Sequence, residues 1–278
     1  MSDVTRAEVG TRSETCTRSE ICTRSEICTR SEICVAACAE AWRGDGEVIA
    51  SPMGLIPALG ARLAKLTFAP GLMLSDGDAN YLTDPTGADS HVEAHIPYRQ
   101  LFDFVWHGSR HVMMGASQLD RFGNQNISAI GTDHARPKAQ LIGVRGAPGN
   151  TINHPTSYWI ANHSPKVFVE KVDVVSGLGY DRARGTGHAA RFHELRRVVT
   201  NLAVFDFQTK DHRMRVRSVH PGVTIDEVVD ATGFVLIGTD RGTIRTTPEP
   251  DAEALRLIRE VLDPRNTRER EVPSAGRR

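Results

Sequence analysis

The sequence predicts a three-layer α/β/α domain built on a mixed, mostly parallel sheet. Three observations predict it. Short apolar runs of strand length alternate with stretches of helical periodicity, the pattern of helices packed on both faces of a sheet. Late in the chain, 198–207 and 214–218 are separated only by the polar stretch 208–213, which is hairpin grammar and brings antiparallel strands into the sheet. Two glycine turns, one around Gly123 and one along 143–149, follow closely on one another. Turns that end neighbouring strands are how an open α/β sheet builds a ligand crevice at its carboxyl edge.

Residues 5–34 are a six-residue repeat: TRAEVG, TRSETC, then TRSEIC three times. Six residues turn a helix by about 600°, so successive Ile-Cys pairs point about 120° apart and form no coiled-coil seam. Cys16, Cys22, Cys28 and Cys34 lie in the repeat, six apart; that spacing matches no zinc site. Each Thr-x-x-Glu is a capping box, yet only Thr29 to Glu32 precedes a real apolar helix, at 33–42. The fold is therefore expected to start near Thr29. Residues 1–28 read as an expanded extension, frayed or disordered and without function, 29–265 as the domain, and 266–278 as a loose charged tail.

Gly44-Asp45-Gly46 ends the first helix and 47–50 reads as the first strand. A turn at 51–57 leads into a helix at 58–66. Residues 72–74 form a short buried strand running into Ser75-Asp76-Gly77-Asp78, 85–90 a loop, 98–107 a helix, and 112–114 a strand. Residues 167–174 alternate in part and read as a strand, while 176–188 is glycine-rich and expected to be mobile. The hairpin follows, then a short helix at 225–232, a strand at 234–237, and a helix at 251–262 with Leu255, Ile258 and Leu262 on one face, stopped by Pro264.

With 278 residues there is chain enough for one large α/β domain or two small ones. Apolar residues make up 40% and charged residues 24%, so a sizeable core can form and wholesale disorder is excluded. Lys and Arg number 34 against 34 Asp and Glu. A zero balance argues against a general nucleic-acid or membrane-surface partner. No apolar run reaches the roughly 20 residues of a membrane span. The polar N-terminus mixes Glu with Arg, unlike a secretory or transit peptide, so a cytoplasmic address is expected.

The chemistry is concentrated in 115–150. Gln118, Asp120, Asn124, Gln125 and Asn126 crowd donors and acceptors around Gly123, and Gly143-Val144-Arg145-Gly146-Ala147-Pro148-Gly149-Asn150 follows. Such a stretch is either a hairpin held by Asn turn chemistry or a ligand loop whose glycines let the backbone come close.

GASQLDRFGNQN resembles the QxDxxGNxN signature of class I CoA-transferase beta subunits, in the glutaconate CoA-transferase branch. Residues 48–54, 68–70 and 143–149 match further landmarks of that family, so the resemblance covers most of the chain after the repeats. SPMGLIPALGARLAKLTFAP, DRFGNQNISAIG, GVRGAPGNTINHPTSYW and VDVVSGLGYD resemble more closely the family's hydrolases that open a steroid-derived ring carried as a CoA thioester. The resemblance implies a CoA-transferase-like fold, coenzyme A entering as part of the substrate with no permanently bound cofactor, and an alpha subunit as partner in an α2β2 assembly.

In that family a beta-subunit glutamate attacks the thioester, which is covalent carboxylate catalysis. The resemblance places it at or beside Gly77, where this chain has Asp76 and Asp78 and no glutamate. Aspartate is shorter, and a displacement of about 1 Å can cost on the order of 100-fold. The departure fits the hydrolases, for which the resemblance puts the general base on the alpha subunit. Asp76 and Asp78 thus stand as loop carboxylates or as walls of the active site; a calcium loop lacks its Glu. Gln118 and Asn126 are expected to point their amides at a developing oxyanion or enolate, with Asn124 holding the turn on the binding side. Gly54, Gly146, Gly149 and Asn150 resemble the family's CoA-facing glycine turns, and Arg145 suits an anion. Ser157, Asp173, His154 and His163 allow a triad to be drawn, but no G-x-S-x-G elbow supports it. His91-x-x-x-His95 and Asp133-His134 lack the further ligands of a metal site, so no metal is expected.

The function expected is hydrolytic carbon–carbon ring opening of a cyclic keto or enone acyl-CoA from steroid (cholesterol) degradation. Two alternatives stand: CoA transfer between carboxylic acids with Asp76 or Asp78 as nucleophile, and a non-catalytic scaffold completing the alpha subunit's site.

Overall fold

The computed structural model describes residues 28–76, 80–86, 92–107, 109–240 and 242–272. The repeats up to residue 27, Gly77, Asp78, His91 and 273–278 lie outside the described residues.

Thr29 caps the first helix, α1 (Arg30–Ala39), as its sequence predicts: its hydroxyl accepts from the Glu32 N–H while the Glu32 carboxylate accepts from the Thr29 N–H. Residues Glu40–Trp42 tighten into a 3-10 turn. Strands β1 (Ile49–Pro52), β2 (Met73–Ser75), β3 (Asn80–Leu82), β4 (Val92–His95) and β5 (Arg110–Met114) follow, with α2 (Leu55–Leu66) after β1 and α3 (Tyr98–His107) before β5. Two small hairpins, β6 (Gln118–Leu119) with β7 (Gln125–Asn126) and β8 (Ala129–Ile130) with β9 (Ala139–Gln140), stand outside the main sheet. Helix α4 (Ala147–Asn153) leads to β10 (Pro155–Ile160), and α5 (Tyr180–Arg184) to β11 (Glu194–Thr200), β12 (Ala203–Asp206) and β13 (Arg215–Val219). Helix α6 (Ile225–Asp230), β14 (Arg245–Thr246) and α7 (Ala252–Arg256) complete the order; α7 continues as a π turn, Leu257–Leu262.

Among the described residues ten strands form one sheet, in the order β14-β13-β12-β11-β10-β5-β1-β2-β3-β4. Its centre, β2-β1-β5-β10-β11, is parallel throughout, and both flanks turn antiparallel except at the outermost pair, β13-β14, which is parallel. The central strands are buried on both faces, as parallel strands are. Met113, Trp159, Val199 and Val204 point to the layer of α1, α2 and the π turn. Val112, Met114, Tyr158, Ile160, Val198 and Phe205 point to the opposite core, with Phe168, Val228 and Phe234. Cys34 and Cys38 are core residues of the first layer. No described helix is long and apolar enough to cross a membrane.

Several expectations are corrected. Residues 167–174 pair at one point only, a bridge from Phe168 to Leu119, and Phe168 is buried in the core against Phe205 and Phe234. Residues 234–237 likewise hold one bridge, Ile237 to Arg215. The run 198–207 is two strands: the Thr200 hydroxyl accepts from the N–H groups of Leu202 and Ala203 and turns the chain between them. The first part of 176–188 packs closely, since Gly177 bridges to Gln125 and Ala183 of α5 is buried, while 184–188 are exposed. Strand β10 was not anticipated at all. The start of the tail is not loose: Arg268 and Val272 are buried, and Glu271 accepts from the Trp159 indole at 2.5 Å and from the Ile56 N–H at 3.2 Å.

Candidate functional site

The signature loop folds into a buried hydrogen-bonded knot. Asp120 accepts from the Phe122 and Asn124 N–H groups with one oxygen and from the Asn124 amide with the other. The Asn124 amide also donates to Asp181, and its carbonyl accepts from the Gly179 N–H at 2.8 Å. Gly179 is required there: a Cβ on it would lie 2.5 Å from the Asn124 nitrogen. Asn126 donates to Gln118 Oε1 at 2.7 Å and to the Ala129 carbonyl, while its Oδ1 accepts from Ser128 N–H. Gln118 Oε1 accepts again from the Asp173 N–H, and its Nε2 donates to Asp173 Oδ2 at 3.0 Å. Asp173 takes the Gly131 N–H as well.

This geometry gives Gln118 and Asn126 internal partners. They are 6% and 0% exposed, and the hydrogen bonds of their amides go to groups of this chain. Buried amides find internal partners because leaving them unpaired is costly. What they tie together is the loop that follows the carboxyl end of β5 and the segment at Asp173.

Along that edge the remaining candidates separate. Gly54, with φ +114°, lies between β1 and α2, a backbone conformation a side chain would strain. Asp76 follows β2 and closes onto Asn80, whose N–H and amide donate to its two oxygens at 3.1 and 2.6 Å. Asp78 lies outside the described residues. In the second glycine turn Arg145 is exposed and adopts φ +51°, and Gly146 caps α4. Gly149 serves through its carbonyl, which accepts from the Asn153 amide. Asn150 is buried beneath this turn, donating to Met114 Sδ and accepting from Arg110 Nη1 at 3.2 Å.

Arg110 was missed by sequence reasoning. It begins β5, is 3% exposed, and lies on the same face as Val112 and Met114. Its Nε donates to Ser51 Oγ at 3.1 Å, so it ties β1 to α4. Burial lowers its pKa to about 10, and the neighbouring Tyr81 opposes that shift. The signal was present: Arg110 and His111 open a strand whose other residues, Val112, Met113 and Met114, are apolar.

The triad drawn from sequence does not form. His163 bonds Thr200 and Thr232 and stacks on Phe168, and Asp173 belongs to the knot. Ser157 instead meets His111 Nε2 at 2.9 Å, and His111 Nδ1 meets Asp45 at 2.6 Å. Ser157 is 0% and His111 1% exposed, and Asp45, whose side chain is 4% exposed, is shared with Arg196. It fastens the sheet to the turn after α1 and offers no nucleophile to a ligand. His95 bonds Asn80, and no described group of three His, Cys, Asp or Glu residues is arranged to hold a metal ion.

A parallel-centred sheet whose carboxyl edge carries a knotted Q-x-D-x-x-G-N-x-N loop defines a coenzyme A transferase fold. The Coenzyme A transferase family profile matches residues 100–231. The chain belongs to that family. It is 54% identical over 239 residues to the cholesterol ring-cleaving hydrolase IpdB subunit of Rhodococcus jostii (strain RHA1), covering 85% of this chain and 93% of the relative. The IpdB subunit of Mycobacterium tuberculosis (strain ATCC 25618 / H37Rv) is 51% identical, over 86% of this chain and 96% of its own. The crystal structure of Rhodococcus jostii RHA1 IpdAB superposes with a TM-score of 0.84 at 53% identity, covering 89% of this chain and 99% of that one. Glutaconate coenzyme A-transferase from Acidaminococcus fermentans shares the fold, at a TM-score of 0.71 and 23% identity over 85% and 95% of the two chains.

Proposed function

We propose that this chain is the beta subunit of a two-subunit acyl-CoA hydrolase that opens a cyclic keto or enone ring derived from cholesterol. The observation that carries the reading is the 54% identity to the ring-cleaving hydrolase subunit, which runs nearly the full length of both proteins. The absence of a glutamate from Ser75-Asp76-Gly77-Asp78 supports it, since a hydrolase of this family does not need a glutamyl thioester. An alpha subunit supplies the general base and completes an α2β2 assembly in the cytoplasm, with CoA entering as part of the substrate.

Water, deprotonated by that base, adds to the ring carbonyl β to the thioester. The bond between that carbonyl carbon and the α-carbon then breaks. The electron pair passes into the thioester as an enolate, the carbonyl becomes a carboxylic acid, and the α-carbon regains a proton. Backbone N–H groups at the carboxyl edge, around Gly54 and the 143–149 turn, meet the thioester, and Gln118, Asn124 and Asn126 hold that edge in shape. Such preset donors act on the enolate without reorganising.

The test is to purify the chain, an alpha subunit and their complex separately, and to offer each a ring-bearing acyl-CoA. The complex is expected to give a product heavier by one water and the separate chains none. Turnover by the purified chain alone refutes the division of labour. CoA transfer through Asp76 is the second reading; incorporation of labelled CoA into acyl-CoA, without ring opening, would establish it.

A further inference from the structure

Arg197, Arg215 and Arg217 crowd around one buried carboxylate. Val199 and Val204 face the layer of α1 and α2, and side chains alternate along a strand. Arg197 on β11 and Asp206 on β12 therefore lie on that face too, with Arg215 of β13 paired opposite Asp206. Asp206 is 0% exposed. One of its oxygens accepts from Arg215 Nε at 3.0 Å and from the Gln208 N–H, the other from Arg215 Nη2 at 2.9 Å. The fork of Arg215 thus takes up the carboxylate. Arg217 Nη1 stays 3.7 Å from it, outside hydrogen-bond range. Half-buried Arg197 donates to the Arg196 carbonyl and, among the described residues, to nothing else.

Two guanidiniums are left over, and they repel each other. Burial first, then the like charge of Arg217, lowers the pKa of Arg197; Asp206 opposes this, and Arg196 and Arg215 add to it. Crowding like charges in a partly buried place is costly, and an anion between them removes that cost. Arg197 and Arg217 line a cavity of about 550 Å³, within the range of small-ligand sites. Ala36 and Ala37 of α1, Leu63 of α2 and Phe68 form its apolar side. Three carboxylates also reach it. Glu40 is held by Arg43, which covers the Phe68 ring, and Asp251 accepts the Ala254 N–H as the cap of α7. Glu249 acts on Cys28, just before α1, whereas the other end of α1 runs on to Asp45 and its pair with Arg196. About 18 Å of helix lies between those ends, so Glu249 is remote from Arg197. An adjoining cavity of about 530 Å³ shares Arg217 and adds Arg215 and Arg245, with no described carboxylate in its wall.

Two unclaimed forks suit one tetrahedral dianion, whose oxygens accept from both, better than a carboxylate with its single charge. A phosphate carries that charge near neutral pH. The apolar side fits an organic body attached to it. We infer that this cavity binds a small phosphate monoester, with its phosphate between Arg197 and Arg217 and its body against α1 and Phe68. The ligand is separate from the acyl-CoA. Asp45 precedes β1 and Arg196 lies near the start of β11, so this end of the cavity is at the amino edge of the sheet, opposite the glycine turns.

The experiment measures binding of phenyl phosphate, inorganic phosphate and benzoate to the assembled complex by calorimetry at pH 7.5. Phenyl phosphate is expected to bind about 10-fold or more tightly than benzoate, and several-fold more tightly than phosphate. Arg197→Gln and Arg217→Gln should each weaken it by about 10- to 100-fold, the span of a charge-assisted hydrogen bond. Arg256→Gln, which removes an exposed arginine elsewhere, should leave it unchanged. Should Arg197→Gln fail to fold, Arg217→Gln, at a half-exposed position, carries the test. The inference is overturned if phenyl phosphate does not bind, if benzoate or phosphate binds as tightly, or if the two cavity variants keep wild-type affinity. An equal loss in Arg256→Gln overturns it as well, since the attraction would then be general. Displacement of phenyl phosphate by coenzyme A would assign the arginines to the substrate's own phosphates. Binding to the free chain and not to the complex would assign them to acids of the alpha subunit. Either result overturns a separate ligand.

Discussion

Asn126 Nδ2 lies 2.7 Å from Gln118 Oε1, which joins the two strands of the signature hairpin side chain to side chain. The same Gln118 oxygen takes the Asp173 N–H, so one acceptor links three segments. Removing a partner here leaves buried polar groups unpaired. Gln118→Ala and Asn126→Ala are each expected to lower unfolding free energy by about 1–3 kcal/mol. A double-mutant cycle should show non-additivity, since the two share a bond. Denaturant midpoints check this. A Gln118→Ala complex that melts like wild type yet loses about 100-fold in kcat would mean that the amide faces the reacting atoms.

Glu32 is buried at 1% exposure and binds Arg259 at 2.7 Å and Arg268 at 2.8 Å while closing the capping box of α1. Burial pushes its pKa up, but the hydrogen bonds from Arg259, Thr29 and Arg268 outweigh this and hold it below the usual carboxylate range. Glu32→Ala strands a buried Arg268 with only Asp263 and is expected to cost about 3–5 kcal/mol. Glu253→Ala, which breaks an exposed pair with Arg256, is expected to change the melting temperature little. Equal effects from the two variants would contradict the buried pair's role.

Acid should weaken the fold above the range where carboxylates titrate. Burial lowers His163 to about 3 and His220 to about 4, the latter against an opposing hydrogen bond that its ring donates to the Thr200 carbonyl; burial also lowers His111, against Asp45. The unfolded chain takes up these protons near pH 6.5 and the folded chain does not. Stability is therefore complete above about pH 6.5 and falls as pH drops from there toward about 4. Urea midpoints measured between pH 7.5 and 4.5 test the slope. A profile flat down to pH 5 would mean that these rings are solvated.

Deleting residues 11–25 is expected to leave the melting temperature and the activity of the complex unchanged, since ordinary apolar periodicity begins only after Thr29. A fall of more than about 4 °C, roughly 1 kcal/mol, would show that the repeats pack on the domain.

The start of α1 was legible because a capping box is local: Thr29 and Glu32 stand three residues apart. The 98–107 helix and the late antiparallel strands were legible from periodicity and spacing. Strand β10 was not, because both its faces are buried and Ser157 is hidden by its bond to His111, which erases the polar alternation of a half-exposed strand. The site was legible to the same degree. The residues of the 118–126 knot stood out, yet the direction of each amide depended on Asp173 and Gly179, some 55 positions away. For Arg110 the deciding facts were again distant: Ser51 and Asn150 lie 59 and 40 positions off.

The ion pairs of Glu32 also set an order of events on the ribosome. Synthesis runs from the N-terminus at about 5–20 residues per second, and domains close as units. Helix α1 is the first described element to emerge, but Arg259 and Arg268 come near the end, as does Glu271, which bonds Trp159 and the start of α2. The earliest helix therefore waits through nearly the whole of translation before its buried carboxylate is neutralised. A chain released short of residue 259 leaves that charge unmet, so incomplete products are marked by instability at the end that was made first.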